Sequence, residues 1–138
     1  MMRVMGLDMG TKTIGVALSD ELGLTAQPLT TIKRTGIRKD MEKLLGLMEE
    51  HGVEMLVVGV PVNMDGTIGE RAKSVLAFVE RLREGTVAEV RTWDERLSTA
   101  AVERVLIEGD ISREKRKKVI DRLAAAYILQ GFLDRHRH

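Results

Sequence analysis

Residues 7–20, LDMGTKTIGVALSD, give the clearest indication of fold in this chain of 138 residues. Two short apolar runs, at residues 4–9 and Thr13–Ser19, flank the sequence Gly10-Thr11-Lys12, which is typical of a tight turn. The pattern predicts two strands joined by this turn. Residues 28–33 alternate their side chains in the manner of a third strand, so the chain begins with three strands in succession.

The remaining chain alternates between helical and strand patterns. Apolar residues at a spacing of about 3.6 predict helices, and β-branched runs bounded by Gly or Pro predict buried strands. Three meandering strands followed by alternating elements indicate an α/β fold, with a mixed five-stranded sheet and helices on both faces. No repeat or linker interrupts the pattern, so we expect a single domain over residues 1–138. After the third strand, the predicted elements are a helix at residues 39–51, a strand at Val53–Val60, a helix at Glu70–Gly85, a strand at residues 87–93, and helices at residues 99–108 and 113–134.

Composition excludes several classes of protein. The chain is 43% hydrophobic and 31% charged, and its longest apolar runs, such as residues 55–62, fall far short of the roughly 20 residues that span a bilayer. Residues 1–9 lack the features of a signal peptide, so we expect a cytoplasmic protein without a membrane partner. The absence of cysteine excludes disulfide scaffolds and thiolate metal sites. With 22 Lys+Arg against 21 Asp+Glu, net charge alone does not indicate nucleic acid.

Two acidic residues occupy positions where a carboxylate is costly. Asp8 ends a strand that we expect to be buried, and ligands gather at strand ends in α/β sheets. Asp121 lies on the flank of the apolar stripe of the last helix, about 60° from its middle. Taken alone, each has a structural alternative. Asp8 could accept hydrogen bonds from the turn amides of Gly10 and Thr11, and Asp121 could pair with Lys117 or Lys118.

Asp94 and Glu95 directly follow the fifth predicted strand. Asp94 could fix a turn, whereas Glu95 would point towards Asp8 if their strands end side by side. Three carboxylates meeting from the first strand, the fifth strand and the last helix would need a proton or a cation. Oxygen ligands without Cys or His suit Mg²⁺ or Mn²⁺, and an open carboxylate cage suits phosphodiester hydrolysis by two ions about 4 Å apart.

Two segments could hold a phosphate backbone. Residues 63–67, NMDGT, precede a helix whose first amides could bind phosphate, although an ordinary Asp-Gly turn and helix cap explain them too. Cations are clumped just before Asp121, where they would bind a polyanion without reading its sequence. Aromatic residues make up only 3% of the chain, which disfavours stacking of bases. The clumped cations are Arg113, Lys115, Arg116, Lys117 and Lys118.

Four segments resemble the YqgF/RuvX family of bacterial RNase H-like nucleases, whose members are named as Holliday junction resolvases and as pre-rRNA processing nucleases. They occur in the family's order and extend over most of the chain. The resemblance implies an RNase H-like fold in which the first three strands are antiparallel. The segments are LDMGTKTIGVALSD at 7–20, VGVPVNMDGTIGERA at 58–72, WDERLSTAAVE at 93–103 and KVIDRLAAAYILQGFLD at 118–134.

The resemblance also implies a site. By motif position, Asp8, Glu95 and Asp121 would be the catalytic carboxylates and the ligands of two Mg²⁺ or Mn²⁺ ions. We expect supporting roles for Gly10, Thr11 and Asp94. The expected nucleic-acid contacts are Lys12, Asn63, Asp65, Gly66, Arg96, Arg116, Lys117 and Lys118.

The expected function is that of a metal-dependent nuclease that processes the 5′ end of pre-16S rRNA in ribosome biogenesis. The alternatives are a Holliday junction resolvase acting on branched DNA and a non-catalytic RNA-binding assembly factor. An ATPase is a further hypothesis. The first phosphate motif of actin-like and sugar-kinase ATPases is matched by Asp8, Gly10, Thr11 and Gly15. Those enzymes need two such domains, so we do not expect this activity. Ribosomal precursor particles are candidate partners. The sequence leaves open whether the protein is a monomer or a homodimer.

Overall fold

The computed structural model describes residues 2–97 and 113–136. Its five strands form one sheet in the order β3-β2-β1-β4-β5. β1 pairs antiparallel with β2, and β2 with β3, whereas β4 runs parallel to both β1 and β5. The predicted mixed sheet with three antiparallel strands is therefore confirmed. The strands are β1 Arg3–Met9, β2 Thr13–Ser19, β3 Ala26–Lys33, β4 Val53–Val60 and β5 Glu89–Asp94.

Within the described residues, three helices accompany the sheet: α1 at Ile37–His51, α2 at Glu70–Gly85 and α3 at Arg113–Arg135. A short 3₁₀ turn at Glu95–Leu97 follows β5. The helix predicted at residues 99–108 lies outside the described residues. Among these described residues, no helix combines the length and apolar character needed to cross a bilayer.

Some element ends differ from the sequence prediction. β3 begins at Ala26 rather than at Pro28, because β3 is an edge strand, where a residue without an N–H is tolerated. β5 begins at Glu89 rather than at Val87. The amide of Ala88 bonds to the Thr86 hydroxyl in a turn, which leaves Val87 fully exposed.

The two faces of the sheet bury separate apolar cores. Met5 and Leu7 of β1 point to the face covered by α1 and α2, where they join Leu44 and Phe78. Val4 of β1 points to the opposite face, which α3 covers with Ala125 and its neighbours. Side chains of a strand alternate between faces, so the even-numbered residues of β1, including Asp8, face α3.

Candidate active site

Glycines in three neighbouring strands allow α3 to lie against the sheet. A Cβ atom on Gly6 of β1 would stand 2.7 Å from Leu129 Cβ, and one on Gly59 of β4 would stand 2.6 Å from Ile128 Cδ1. A Cβ on Gly15 of β2 would overlap the backbone carbonyl of Asp121. A larger residue at Gly6 or Gly15 would push the helix away from the sheet, whereas one at Gly59 would first displace the end of the Ile128 side chain.

Asp8 lies at the end of β1, on the face that α3 covers. Its relative exposure is 5%, and its strand partner in β2 is Gly15. Because Gly15 contacts the backbone of Asp121, the strand pairing brings Asp8 and Asp121 to the same corner of the sheet. The prediction that Asp8 occupies a buried position at a strand end, where a carboxylate is costly, is therefore confirmed.

Asp121 is partly buried and is fixed by a residue that the sequence reasoning missed. The hydroxyl of Thr13, the first residue of β2, donates a hydrogen bond to Asp121 Oδ2. Thr13 lies 108 positions earlier in the chain, so the sequence gives no sign of this contact. The Lys117 and Lys118 side chains, proposed as alternative partners of Asp121, are outside the described side chains.

Glu95 directly follows β5, and its side chain lies over the neighbouring strand β4. It opens the 3₁₀ turn after β5, and its Cγ would stand 3.2 Å from a Cβ on Gly59. Gly59 belongs to β4, which pairs with β1, so Glu95 is directed towards the strand that carries Asp8. β4 lies between β5 and β1, so these two strands do not end side by side as we supposed from the sequence, and the approach of Glu95 to Asp8 stays a prediction.

Asp8 and Asp121 thus share one corner of the sheet, and Glu95 lies over Gly59 of the adjacent strand β4. Within residues 2–97 and 113–136, however, no three Asp, Glu or His side chains form a group ready to hold a metal ion. The donors nevertheless fit a hard divalent cation, because all three are carboxylates. The three residues therefore suit Mg²⁺ or Mn²⁺ in their chemistry, and the two-ion cage stays a prediction.

Arg96 is held by Asp94 rather than presented as a free cation. Its guanidinium donates to both oxygens of Asp94, with Nη2 to Oδ2 at 2.7 Å, and the Asp94 carboxylate also accepts a hydrogen bond from the Arg96 amide. These hydrogen bonds from Arg96 lower the pKa of Asp94 and raise that of Arg96. Asp94 therefore fixes this turn and orients Arg96, as the sequence allowed.

The loop before α2 is an exposed turn held by hydrogen bonds among its own residues. Asp65 Oδ1 accepts the Thr67 hydroxyl at 2.6 Å and the Thr67 amide at 3.0 Å, which lowers the pKa of Asp65. Asn63 Nδ2 also donates to the Thr67 hydroxyl, and Gly66 adopts a positive φ of 89° that favours glycine. The Asp-Gly turn interpretation is correct for Asp65, whose contact with nucleic acid stays a prediction.

The remaining predicted site residues, both the supporting ones and the nucleic-acid contacts, lie in two parts of the chain. Thr11 and Lys12 are exposed in the turn after Asp8, and the Gly10 amide in that turn donates to Thr13 O at 2.8 Å. Arg116, Lys117 and Lys118 belong to the first turns of α3, but their side chains are outside the described ones. Arg96 Nη1 reaches Met64 O at 3.4 Å, which joins the β5 turn to the loop before α2.

Solved structures define the class of fold. Thermus thermophilus RuvC, in complex with a Holliday junction substrate, matches with a TM-score of 0.60 at 18% identity, covering 99% of this chain and 97% of that one. The fowlpox virus resolvase, in complex with substrate Holliday junction DNA, matches with a TM-score of 0.60 at 10% identity, covering 99% of this chain and 100% of that one. This chain therefore has the RNase H-like fold of the RuvC-type resolvases.

Sequence relatives give the family. Residues 2–135 match the profile of the RuvX family, described as Holliday junction resolvase, and the chain belongs to that family. A Desulforamulus reducens protein named "Putative pre-16S rRNA nuclease" is 58% identical over 133 residues, which is 96% of this chain and 97% of that protein. A Clostridioides difficile protein of the same name is 56% identical over 132 residues, covering 96% and 94%. The resemblance inferred from the four motif segments is thereby confirmed.

Proposed function

We propose that this protein is a divalent-metal-dependent nuclease of the cytoplasm that processes the 5′ end of pre-16S rRNA. The observation that supports the proposal is the position of Gly15, which is the strand partner of Asp8 and lies against the backbone of Asp121, while Glu95 lies over Gly59 of β4. The curated relatives at 56–58% identity bear the name of pre-16S rRNA nucleases, which supports an RNA precursor as the substrate.

In this proposal Asp8, Glu95 and Asp121 are the catalytic carboxylates that hold Mg²⁺ or Mn²⁺. When bound, such ions polarise the phosphate and lower the pKa of a water molecule that attacks it. The Thr13 hydroxyl keeps the Asp121 carboxylate turned towards the corner. The burial of Asp8 and the cover of α3 limit access of bulk water to that side of the site.

The substrate would reach the site along cations and turn amides. Lys12 is exposed in the turn that follows Asp8, and Asn63 and Gly66 are exposed in the loop before α2. Arg96, oriented by Asp94, stands between that loop and Glu95. These groups and the cations at 116–118 would contact phosphates, so binding would depend on the shape of the RNA more than on its sequence.

The second candidate is a Holliday junction resolvase. It is favoured by the description of the family and by fold neighbours solved with Holliday junctions. Symmetric cutting of a junction needs two active sites, so this activity requires a dimer. A non-catalytic assembly factor would bind RNA precursor particles without cleaving them.

Side-by-side cleavage tests these functions. The wild-type protein, with Mg²⁺ or Mn²⁺, is given a pre-16S rRNA leader and a four-way DNA junction. We expect cleavage of the leader, and a rate at least about 100-fold lower in Asp8→Asn, Glu95→Gln and Asp121→Asn. Glu50→Gln is the matched control. Glu50 is exposed near the C-terminal end of α1, close to the start of β4, whereas Gly59 and the proposed site lie near the other end of that strand.

Three results would contradict the proposal. Symmetric cutting of the junction with an intact leader would favour the resolvase. Binding of the leader without cleavage would favour the assembly factor. Full activity in Asp8→Asn would contradict the assignment of the metal site to these three carboxylates.

A further inference from the structure

Two arginines hold the turn that follows Asp8. Nη2 of Arg71, in α2, donates to the Met9 carbonyl at 2.9 Å, and Nη1 of Arg34, which follows β3, donates to the Gly10 carbonyl at 2.9 Å. The backbone amide of Arg34 also donates to the Lys12 carbonyl at 2.9 Å. Three carbonyls of this short turn are thus bound by residues from two other parts of the chain.

Arg34 is itself held in place by a buried carboxylate. Asp40 in the first turn of α1 has no exposed surface, accepts the Thr35 amide at 3.0 Å, and lies 3.4 Å from Arg34 Nε. The Arg34 guanidinium also lies over the Phe78 ring, 5.9 Å from its centroid. Because a buried carboxylate is costly without a partner, Asp40 fixes the arginine in one orientation.

The arginines act from the face opposite to the acids. Arg71 belongs to α2, which packs on the face to which Met9 points, whereas Asp8 points to the face covered by α3. The two side chains therefore influence Asp8 through the backbone of the turn that directly follows it.

We infer that Arg34 and Arg71 are positioning residues that fix the Met9–Gly10 backbone and thereby orient the Asp8 carboxylate for metal binding and catalysis. The inference rests on the proposed nuclease function. Removal of a group that orients a metal ligand without itself binding the metal typically lowers metal affinity or activity by about 10–100-fold.

The test uses Arg71→Met, which keeps the aliphatic stem and removes the donor. We expect the kcat of leader cleavage to fall about 10-fold with an unchanged KM, and Mn²⁺ binding, measured by electron paramagnetic resonance, to weaken about 10-fold. The Gly10 amide, which bonds to Thr13 O, should exchange its hydrogen about 10-fold faster. Arg71→Lys should restore part of each loss. Lys73→Met, an exposed position in the same helix, should behave as wild type.

Other results overturn the inference. A raised KM with an unchanged kcat would make Arg71 a substrate contact. A lower melting temperature with unchanged kcat, Mn²⁺ binding and exchange would make it a structural residue only. If Arg71→Met does not fold, Arg71→Lys and Arg34→Lys, which keep the charge but change the donor geometry, are measured instead. A kcat and an Mn²⁺ affinity both below those of the wild type support the inference, and wild-type values of all three readouts overturn it.

The three readouts separate this inference from the proposed function. A wild-type protein that cleaves no substrate contradicts the proposed function, while Mn²⁺ binding and exchange still decide the role of Arg71. Cleavage by the wild type with no change in Arg71→Met contradicts the inference alone.

Discussion

Gly15 of β2 lies so close to the backbone carbonyl of Asp121 in α3 that a Cβ atom at position 15 would overlap this oxygen. Gly15 is also the strand partner of Asp8. The separation between two of the proposed catalytic acids is therefore set by a contact between a glycine and a helix backbone. A side chain at position 15 would change both the packing and the site.

We predict that Gly15→Ala lowers the free energy of unfolding by about 2–3 kcal/mol, because the helix backbone must shift to admit the methyl group. Cleavage should fall as Asp121 moves away from Asp8. Gly46→Ala is the matched control, since nothing lies within 4 Å of that position in α1, and it should stabilise the protein by roughly 0.5–1 kcal/mol. Urea unfolding measures both variants. Native stability and activity in Gly15→Ala would show that the contact is not close.

Loss of the Thr13 hydroxyl should disturb Asp121. We expect Thr13→Val to lower the free energy of unfolding by about 1–2 kcal/mol and to reduce cleavage, because a carboxylate loses its hydrogen bond. Thr13→Ser keeps the donor and should keep activity. Thr92→Val, at an exposed position of β5, controls for the change of shape. Equal activity in the Val and Ser variants at position 13 would argue against this role.

The Asp94–Arg96 pair should be visible in a pH titration. Hydrogen bonds from Arg96 favour the charged form of Asp94, so its folded pKa lies below the ordinary value of 3.8. The pair therefore stabilises the turn above that value, and its contribution is lost as the pH falls through the folded pKa. In Arg96→Met, carboxyl-carbon NMR should show the pKa of Asp94 rising towards 3.8.

Asp65 serves as the internal reference in the same spectra. Its pKa is lowered mainly by the Thr67 hydroxyl, and Arg96 is the smallest cause. It should therefore stay low in Arg96→Met. An unchanged Asp94 titration, or an equal shift in both carboxylates, would contradict the pairing.

The cations at the start of α3 should supply salt-dependent binding. Lys117→Ala with Lys118→Ala should weaken binding of the RNA leader and flatten the dependence of log K on log salt, because fewer counterions are released. The slope should fall by about one unit for each lysine that contacts a phosphate. Lys39→Ala with Lys43→Ala, on the exposed side of α1, should leave binding unchanged. Fluorescence anisotropy at several salt concentrations measures binding by both double variants. Equal slopes would indicate that Lys117 and Lys118 belong to a solvated surface without phosphate contacts.

Much of the fold follows from local patterns in the sequence. The Gly10-Thr11-Lys12 turn between two apolar runs predicts the β1–β2 pair, and the buried character of Val53–Val60 predicts a central parallel strand. The sequence predicts the start of β3 two residues too late. Local preference puts Pro28 at a strand end, whereas the position of β3 at the sheet edge admits it within the strand.

The candidate site was only partly predictable. Asp8 and Asp121 attract attention because a carboxylate is costly at a buried strand end or beside an apolar stripe. Thr13 and Arg71 give no such signal, since their roles depend on partners 108 and 62 positions away in the chain. Such contacts exist only after the sheet and its helices have assembled.

A crystal structure grown with Mn²⁺ and the RNA leader, using the anomalous signal of manganese, tests the central claim most directly. The account predicts manganese peaks within about 2.3 Å of carboxylate oxygens of Asp8, Glu95 and Asp121, at the corner formed by β1, β4 and α3. Manganese bound elsewhere, or a corner without any peak beside these three carboxylates, would contradict it.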